Sequence, residues 1–255
     1  MRPLSVPIRA VVFDLFDTLV DLRFEDLPSV EHAGQRLPAS ARRVHAAVAE
    51  RVEIGFDAFN QAMLAGVRAF GESHYSQHRE VPTFERFTDL LARVGLEDPE
   101  LAERLTRIHM AALRSVVRVP SHHAPLLDVL RERVRTGLCS NFSHSPTAQE
   151  ILEASQLAER LDAVVVSDAL GLRKPHPRIF EAVMARLDVG PEEVLHVGDS
   201  LRADVGGAAA LGIRTAWVTR RVRDPQAALA EHEGARPDHA IADLAELPEL
   251  LDELG

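Results

Sequence analysis

A chain of 255 residues, 46% apolar and 27% charged, is long enough for one large domain or for a core domain carrying a smaller insert, and no segment is polar and monotonous enough to stay unfolded. The net charge of −10 argues against a general affinity for nucleic acid or an anionic membrane, so an anionic ligand requires positive charge gathered locally from a lysine, helix N-termini or a metal ion. The single cysteine, Cys139, excludes an intramolecular disulfide and fits a reducing cytoplasm, and no run approaches the roughly 20 apolar residues that a membrane-spanning helix needs.

The first predicted element is Ala10 to Phe13, a short apolar run that stops at Asp14, as in a strand buried on both faces of a parallel sheet. Asp14 and Asp17 break the run from Ile8 to Val20, so it does not read as a signal peptide. From Asp21 to Val117 the pattern changes. Ala39 to Val52, Phe56 to Phe70, Phe84 to Val94 and Pro99 to Val117 carry apolar residues at helical spacing, and no strand run stands out. The chain returns through Val119-Pro120-Ser121. Four further strands are expected at Thr136 to Ser140, Ala163 to Ser167, Val194 to Val197 and Arg214 to Val218, with a weaker one at His239 to Ala242. Helical patterns lie between and beyond them at Pro125 to Glu132, Thr147 to Glu153, Pro177 to Leu187, Arg202 to Leu211 and Pro225 to Glu231. This alternation predicts an α/β fold: a doubly wound parallel-sheet, Rossmann-like core at 1–20 and 118–255, with an all-helical cap at 21–117 inserted after the first strand.

In an open parallel sheet, ligands bind beyond the carboxyl ends of the strands, and the chain places its polar residues there. The first strand ends in Asp14-Leu15-Phe16-Asp17-Thr18 and the second in Ser140-Asn141; Lys174 follows the third, and Gly198-Asp199-Ser200 ends the fourth with Asp204 beyond. Each piece alone is an ordinary cap or turn. Lys174 stands out because it is the only lysine beside 28 arginines, and a compact ammonium fits between carboxylates and a small anion where a forked guanidinium does not. Together the four pieces offer a carboxylate nucleophile, two further carboxylates for a hard cation, a hydroxyl donor and one ammonium. Oxygen ligands suit Mg²⁺, and the absence of suitable His/Cys clusters argues against zinc.

Phe13-Asp14-Leu15-Phe16-Asp17-Thr18-Leu19, Ser140-Asn141, Lys174-Pro175 and Gly198-Asp199-Ser200 with Asp204 resemble the four motifs of the haloacid dehalogenase superfamily, and the helical insert resembles its cap. The resemblance implies Asp14 as nucleophile, Thr18 and Ser140 as hydrogen-bond partners of nucleophile and phosphate, Asn141 as a backbone contact and Lys174 as the neutralising charge. It implies a Mg²⁺ site made by Asp14, the backbone carbonyl of Phe16 and Asp199, with Asp204 as a further ligand or support. The activity so implied is hydrolysis of a small phosphorylated metabolite through an aspartyl-phosphate intermediate, with closure of the cap over the substrate.

One position departs from the phosphatase pattern. Those enzymes carry a second aspartate two residues after the nucleophile, which protonates the leaving oxygen; here that position is Phe16, and Asp17 falls one place later. General acid–base help is worth about 10²–10⁴ in rate, so a slow or selective enzyme is expected, with His74, His78 or His144 as substitute proton donors. Three rival readings follow. Haloacid dehalogenases carry an aromatic residue at this position and use no metal, but they have serine where this chain has Asp199. Phosphonate-cleaving relatives need a cap lysine, which this cap lacks. A catalytically silent member would bind a phosphorylated ligand or a protein. Arg23, Arg42 and Arg43 are candidate contacts to an anionic substrate from the cap.

Overall fold

Residues Ala10–Phe13 are all buried, which explains why this strand alternates nothing and reads as a continuous apolar run. The computed structural model describes residues 6–32 and 35–255, and the chain divides into two units, Met1–Asp21 with Arg118–Gly255, and Leu22–Val117.

The first unit is built on a six-stranded sheet: β1 (Ala10–Phe13), β2 (Arg135–Ser140), β3 (Ala163–Val166), β4 (Val194–Gly198), β5 (Arg214–Val218) and β6 (His239–Ile241). Their order across the sheet is β6-β5-β4-β1-β2-β3, and every adjacent pair runs parallel. The chain winds outward from β1 through β2 and β3, then returns to the other side of β1 with β4. That reversal makes the carboxyl end of β1 a topological switch point. In register, Phe13 faces Leu138 on one side and Val197 on the other, so Asp14, Asn141 and Asp199 emerge together at one edge. The strands lie within a residue or two of the positions expected from sequence.

Among the described residues, the longer helices of this unit are His123–Arg131, Ser145–Ala154, Pro177–Leu187, Pro225–Glu231 and Leu247–Leu254. Proline occupies the first turn of the second, third, fourth and fifth, where its missing N–H costs nothing. On one face, Ile179, Phe180, Val183 and Leu187 pack against Val12, Cys139 and Val165. Cys139 is a small core residue, its thiol pushed up to about 12 by burial.

The structure differs from expectation in the segment Arg202 to Leu211, which is not one regular α-helix. Leu201–Gly206 is a π-helical turn and only Gly207–Ala209 continues as α-helix. The Ser200 carbonyl accepts from both Asp204 N (2.9 Å) and Val205 N (3.2 Å), and the adjacent Gly206-Gly207 pair weakens ordinary helix propensity. This widened turn brings Asp204 back to the strand end. Gly198 permits the approach, because a Cβ there would lie 2.3 Å from the Asp204 carboxyl carbon.

The second unit contains four helices, α1 (Ala39–Ala49), α2 (Phe56–Ser73), α3 (Thr83–Arg93) and α4 (Pro99–Ser115). Val48, Phe59, Phe87, Leu91 and Leu105 form the centre of its own core. It is not all helical, which corrects the expectation: Ser29–His32 and Gln35–Pro38 pair antiparallel, with Val30 opposite Leu37. Four-residue strands that each carry one apolar residue in that register give too little period-2 signal to be seen beside long helices. The guanidinium of Arg42 stacks 3.9 Å from the Phe56 ring centroid, so this candidate substrate contact is engaged within its own unit.

Candidate active site

Three of the four strand-end pieces converge on Lys174. Its Nζ donates to Asp14 Oδ1 at 2.5 Å and to Asp204 Oδ1 at 2.6 Å, and all three side chains are buried. The fourth piece holds the lysine in place: Asn141 Nδ2 donates to the Lys174 carbonyl (3.0 Å) while the Lys174 N–H donates to Asn141 Oδ1 (2.7 Å). Asn141 therefore spends its side chain on orienting the lysine-bearing turn. Asp14 is fixed from behind by its own N–H, which donates to the Val197 carbonyl at 2.9 Å.

Asp204 accepts three hydrogen bonds. Oδ1 accepts from Lys174 and from His196 Nε2 (2.8 Å), and Oδ2 accepts from the Ser200 N–H (3.0 Å). Its pKa lies well below the usual carboxylate range despite burial, held there by Lys174 first and His196 next. Such a carboxylate positions the ammonium more readily than it coordinates an ion. His196 and Trp217 were not among the sequence candidates. The Trp217 Nε1–H donates to the Asp199 carbonyl at 2.7 Å and so sets the turn carrying that carboxylate. A signal for His196 was present: it shares a strand face with Gly198 by the two-residue period, and a histidine inside an otherwise apolar buried strand needs a partner. Replacing His196 with leucine is expected to lower kcat about tenfold and leave KM for an aryl phosphate nearly unchanged, because it loosens a supporting bond without touching substrate. A steady-state kcat and KM comparison checks this; an unaltered kcat contradicts it.

The site concentrates negative charge in the way that a divalent cation requires. Oxygens of Asp14, Asp199 and Asp204 come within 4.8 Å of one another. Three carboxylates and one ammonium leave a formal charge of −2, which a divalent ion balances. Burial raises Asp14 to about 6, against the pull of Lys174, and burial together with the Asp14 charge raises Asp199 to about 8. The donor set is all oxygen, as Mg²⁺ requires. The bonds that close the loop after Asp14 use the Leu15 carbonyl and the Asp17 N–H, so neither consumes the Phe16 carbonyl. Thr18 Oγ1 and Ser140 Oγ are wholly buried with no hydrogen-bond partner among the described residues, an arrangement costing about 1–3 kcal/mol each that a bound oxyanion relieves. The residues present therefore fit Mg²⁺ and a phosphate-like ligand.

A stability prediction follows from the two raised carboxyls. Their folded-state pKa values exceed those of the unfolded chain, so the metal-free folded form retains protons that the unfolded form has lost. That contribution is complete below an ordinary carboxyl pKa and disappears as pH rises through about 6 for Asp14 and about 8 for Asp199. In thermal melts with chelator, Tm is expected to fall between pH 5 and pH 8, and Mg²⁺ is expected to raise it more at pH 8 than at pH 5. A Mg²⁺ effect equal at both pH values contradicts the assignment.

Asp17 and His144, the substitute acids in the same unit as Phe16, are both engaged with other groups. Asp17 adopts a left-handed backbone (φ 55°) and its Oδ1 forms an ion pair with Arg221, 2.8 Å from Nε. His144 caps the helix Ser145–Ala154, its Nδ1 accepting from Thr147 N at 3.3 Å. His74 bonds Ser73 Oγ at 2.8 Å within the other unit, where His78 ends the turn Tyr75–Gln77 in a left-handed conformation. Phe16 itself packs edge-on against Phe142, with ring centroids 4.9 Å apart.

A family model for haloacid dehalogenase-like hydrolases matches residues 8–212. A glyceraldehyde 3-phosphate phosphatase of Pyrococcus furiosus is 28% identical over 97% of this chain and 93% of that protein. An (S)-2-haloacid dehalogenase of Pseudomonas sp. is also 28% identical, over 96% of this chain and 97% of its own length. Among solved structures, a phosphatase from Thermococcus onnurineus superposes with a TM-score of 0.64 at 23% identity, covering 96% of this chain and 98% of that one, a likeness of fold. No helix among the described residues is long and apolar enough to cross a membrane.

Proposed function

Since the chain belongs to the haloacid dehalogenase-like hydrolases, we propose that it is a Mg²⁺-dependent phosphatase acting on a small phosphorylated molecule through an Asp14 phospho-intermediate. The observation that carries this reading is the crowding of Asp199 against Asp14 with Lys174 as the only ammonium, a cluster short of two positive charges.

Lys174 occupies Asp14 Oδ1, leaving Oδ2 to attack phosphorus while the ammonium offsets the charge of the incoming dianion. Thr18 and Ser140 donate their unused hydroxyl protons to the phosphoryl oxygens. A Mg²⁺ ion held by Asp14, Asp199 and the Phe16 carbonyl would add Lewis-acid stabilisation of the developing charge. The phosphorus–oxygen bond to the substrate breaks as the Asp14–phosphorus bond forms, and water then attacks phosphorus to release phosphate and restore the carboxylate. Because residue 16 carries no ionisable group, the leaving oxygen departs without a proton from that position. Acyl and aryl phosphates are thus preferred over alkyl phosphates. Support for the phosphate reading also comes from the phosphatase name of the Pyrococcus relative.

A second reading is favoured by the apolar Phe16–Phe142 pair: a metal-independent 2-haloacid dehalogenase, whose halide leaves unprotonated. Asp199 opposes it, standing where those enzymes have serine. The two readings separate in one assay. Aryl phosphate hydrolysis is expected to require Mg²⁺ and to fall to background with chelator. Halide release from a 2-haloacid that is indifferent to chelator would reverse the order.

A further inference from the structure

Away from the Asp14 cluster, His122, His123 and Asp243 each place a nitrogen or carboxylate oxygen within 4.8 Å of the others. His123 is wholly buried, and its Nδ1 lies 2.8 Å from the Leu19 carbonyl. A carbonyl only accepts, so the proton sits on Nδ1 and Nε2 presents a lone pair. That Nε2 is buried without a hydrogen-bond partner among the described residues. A neutral imidazole whose other nitrogen donates to a backbone carbonyl is the arrangement in which histidine binds a metal, because the donated bond fixes tautomer and ring orientation.

The other two members complete a ligand set. His122 Nε2 lies 2.6 Å from Asp243 Oδ1, and its side chain is 48% exposed, so it is free to move aside for an ion. Asp243 Oδ1 also accepts from Ala245 N (2.9 Å), and Oδ2 faces Arg220 Nε at 3.5 Å. Arg220 is a cation near the site, but Asp21 already balances it at 2.7 Å, and its second bond goes to the Thr18 carbonyl at 3.2 Å. A carboxylate accepts about four hydrogen bonds or ligands, so Asp243 retains capacity after capping its turn.

We infer that His122 and His123, as nitrogen ligands, and Asp243, as an oxygen ligand, form a second metal site, selective for a late first-row divalent ion such as Zn²⁺ and completed by water on its exposed side. Two imidazoles and one carboxylate suit Zn²⁺, Co²⁺ or Cu²⁺ and disfavour Mg²⁺, which takes oxygen ligands. The ion joins the start of His123–Arg131 to the turn after His239–Ile241, beside the Leu19 carbonyl. The site is separate from the Mg²⁺ ligands in residues and in preferred ion.

The test uses the full-length, tag-free protein with excess Mg²⁺ present to fill the Asp14–Asp199 cluster. Calorimetric titration with Zn²⁺, and visible absorption with Co²⁺ as probe, are expected to show one saturable equivalent with imidazole ligation. His122→Ala and Asp243→Asn, both at partly exposed positions, should each weaken that binding at least about tenfold while Mg²⁺-dependent aryl phosphate hydrolysis persists. No saturable equivalent, or equal Zn²⁺ affinity in wild type and both variants, overturns the inference.

Discussion

Lys174→Arg is expected to lower phosphatase kcat by roughly 10²–10³-fold although it conserves charge, a loss comparable to removing one preorganised donor from a developing oxyanion. The ammonium sits 2.5 Å from Asp14 and 2.6 Å from Asp204 in a pocket that leaves its side chain 2% exposed. A guanidinium is flat and broad, so it must either displace Asp14 from its position under Val197 or withdraw from one carboxylate. Lys174→Met tests the electrostatic part separately. It strands Asp14 and Asp204 without their shared cation, for a destabilisation of about 3–5 kcal/mol in the metal-free protein, read by denaturant unfolding. Near-normal turnover in Lys174→Arg would remove the reason for a lone lysine in an arginine-rich chain.

Phe16→Asp is expected to raise turnover of alkyl phosphates by about 10²–10⁴-fold and of aryl phosphates much less. The new carboxyl would supply the proton that a poor leaving group needs and that an aryl oxide does not. The loop that carries it is already closed by Asp17 N to Val20 O (2.6 Å) and Val20 N to Leu15 O (2.9 Å), so the backbone needs no rearrangement. The substitution does cost the edge-on contact with Phe142. The ratio of alkyl to aryl phosphate kcat/KM in the variant and wild type reads the effect, and an unchanged ratio means that another group already protonates the leaving oxygen.

The strands were legible because a parallel sheet covered on both faces forces continuous apolar runs, and three of those runs stop at polar residues of the site. Asp14, Asn141 and Asp199 were recoverable for that reason, and Lys174 because it is the only lysine in the sequence. What the residues do for one another was less visible. Asn141, expected as a backbone contact, clamps the N–H and carbonyl of Lys174; Asp204, expected as a further ligand or support, accepts from Lys174, His196 and Ser200. These bonds join positions far apart in the chain, and no local pattern encodes them. The π-helical turn at Leu201–Gly206 was hidden similarly, since its widening answers to the placement of Asp204 and not to helical periodicity. His123 reads as any helix-start histidine until the Leu19 carbonyl fixes its tautomer.

The most direct measurement is a crystal structure of the protein with Mg²⁺ and beryllium fluoride, which mimics a phosphoryl group on a carboxylate. The expected result is beryllium bonded to Asp14 Oδ2, with Mg²⁺ against Asp199 and the Phe16 carbonyl and the fluorines accepting from Thr18, Ser140 and Lys174. Density that leaves Asp14 unmodified and Asp199 without a metal neighbour, at Mg²⁺ and fluoride concentrations that saturate inhibition or in the absence of any inhibition, would contradict it.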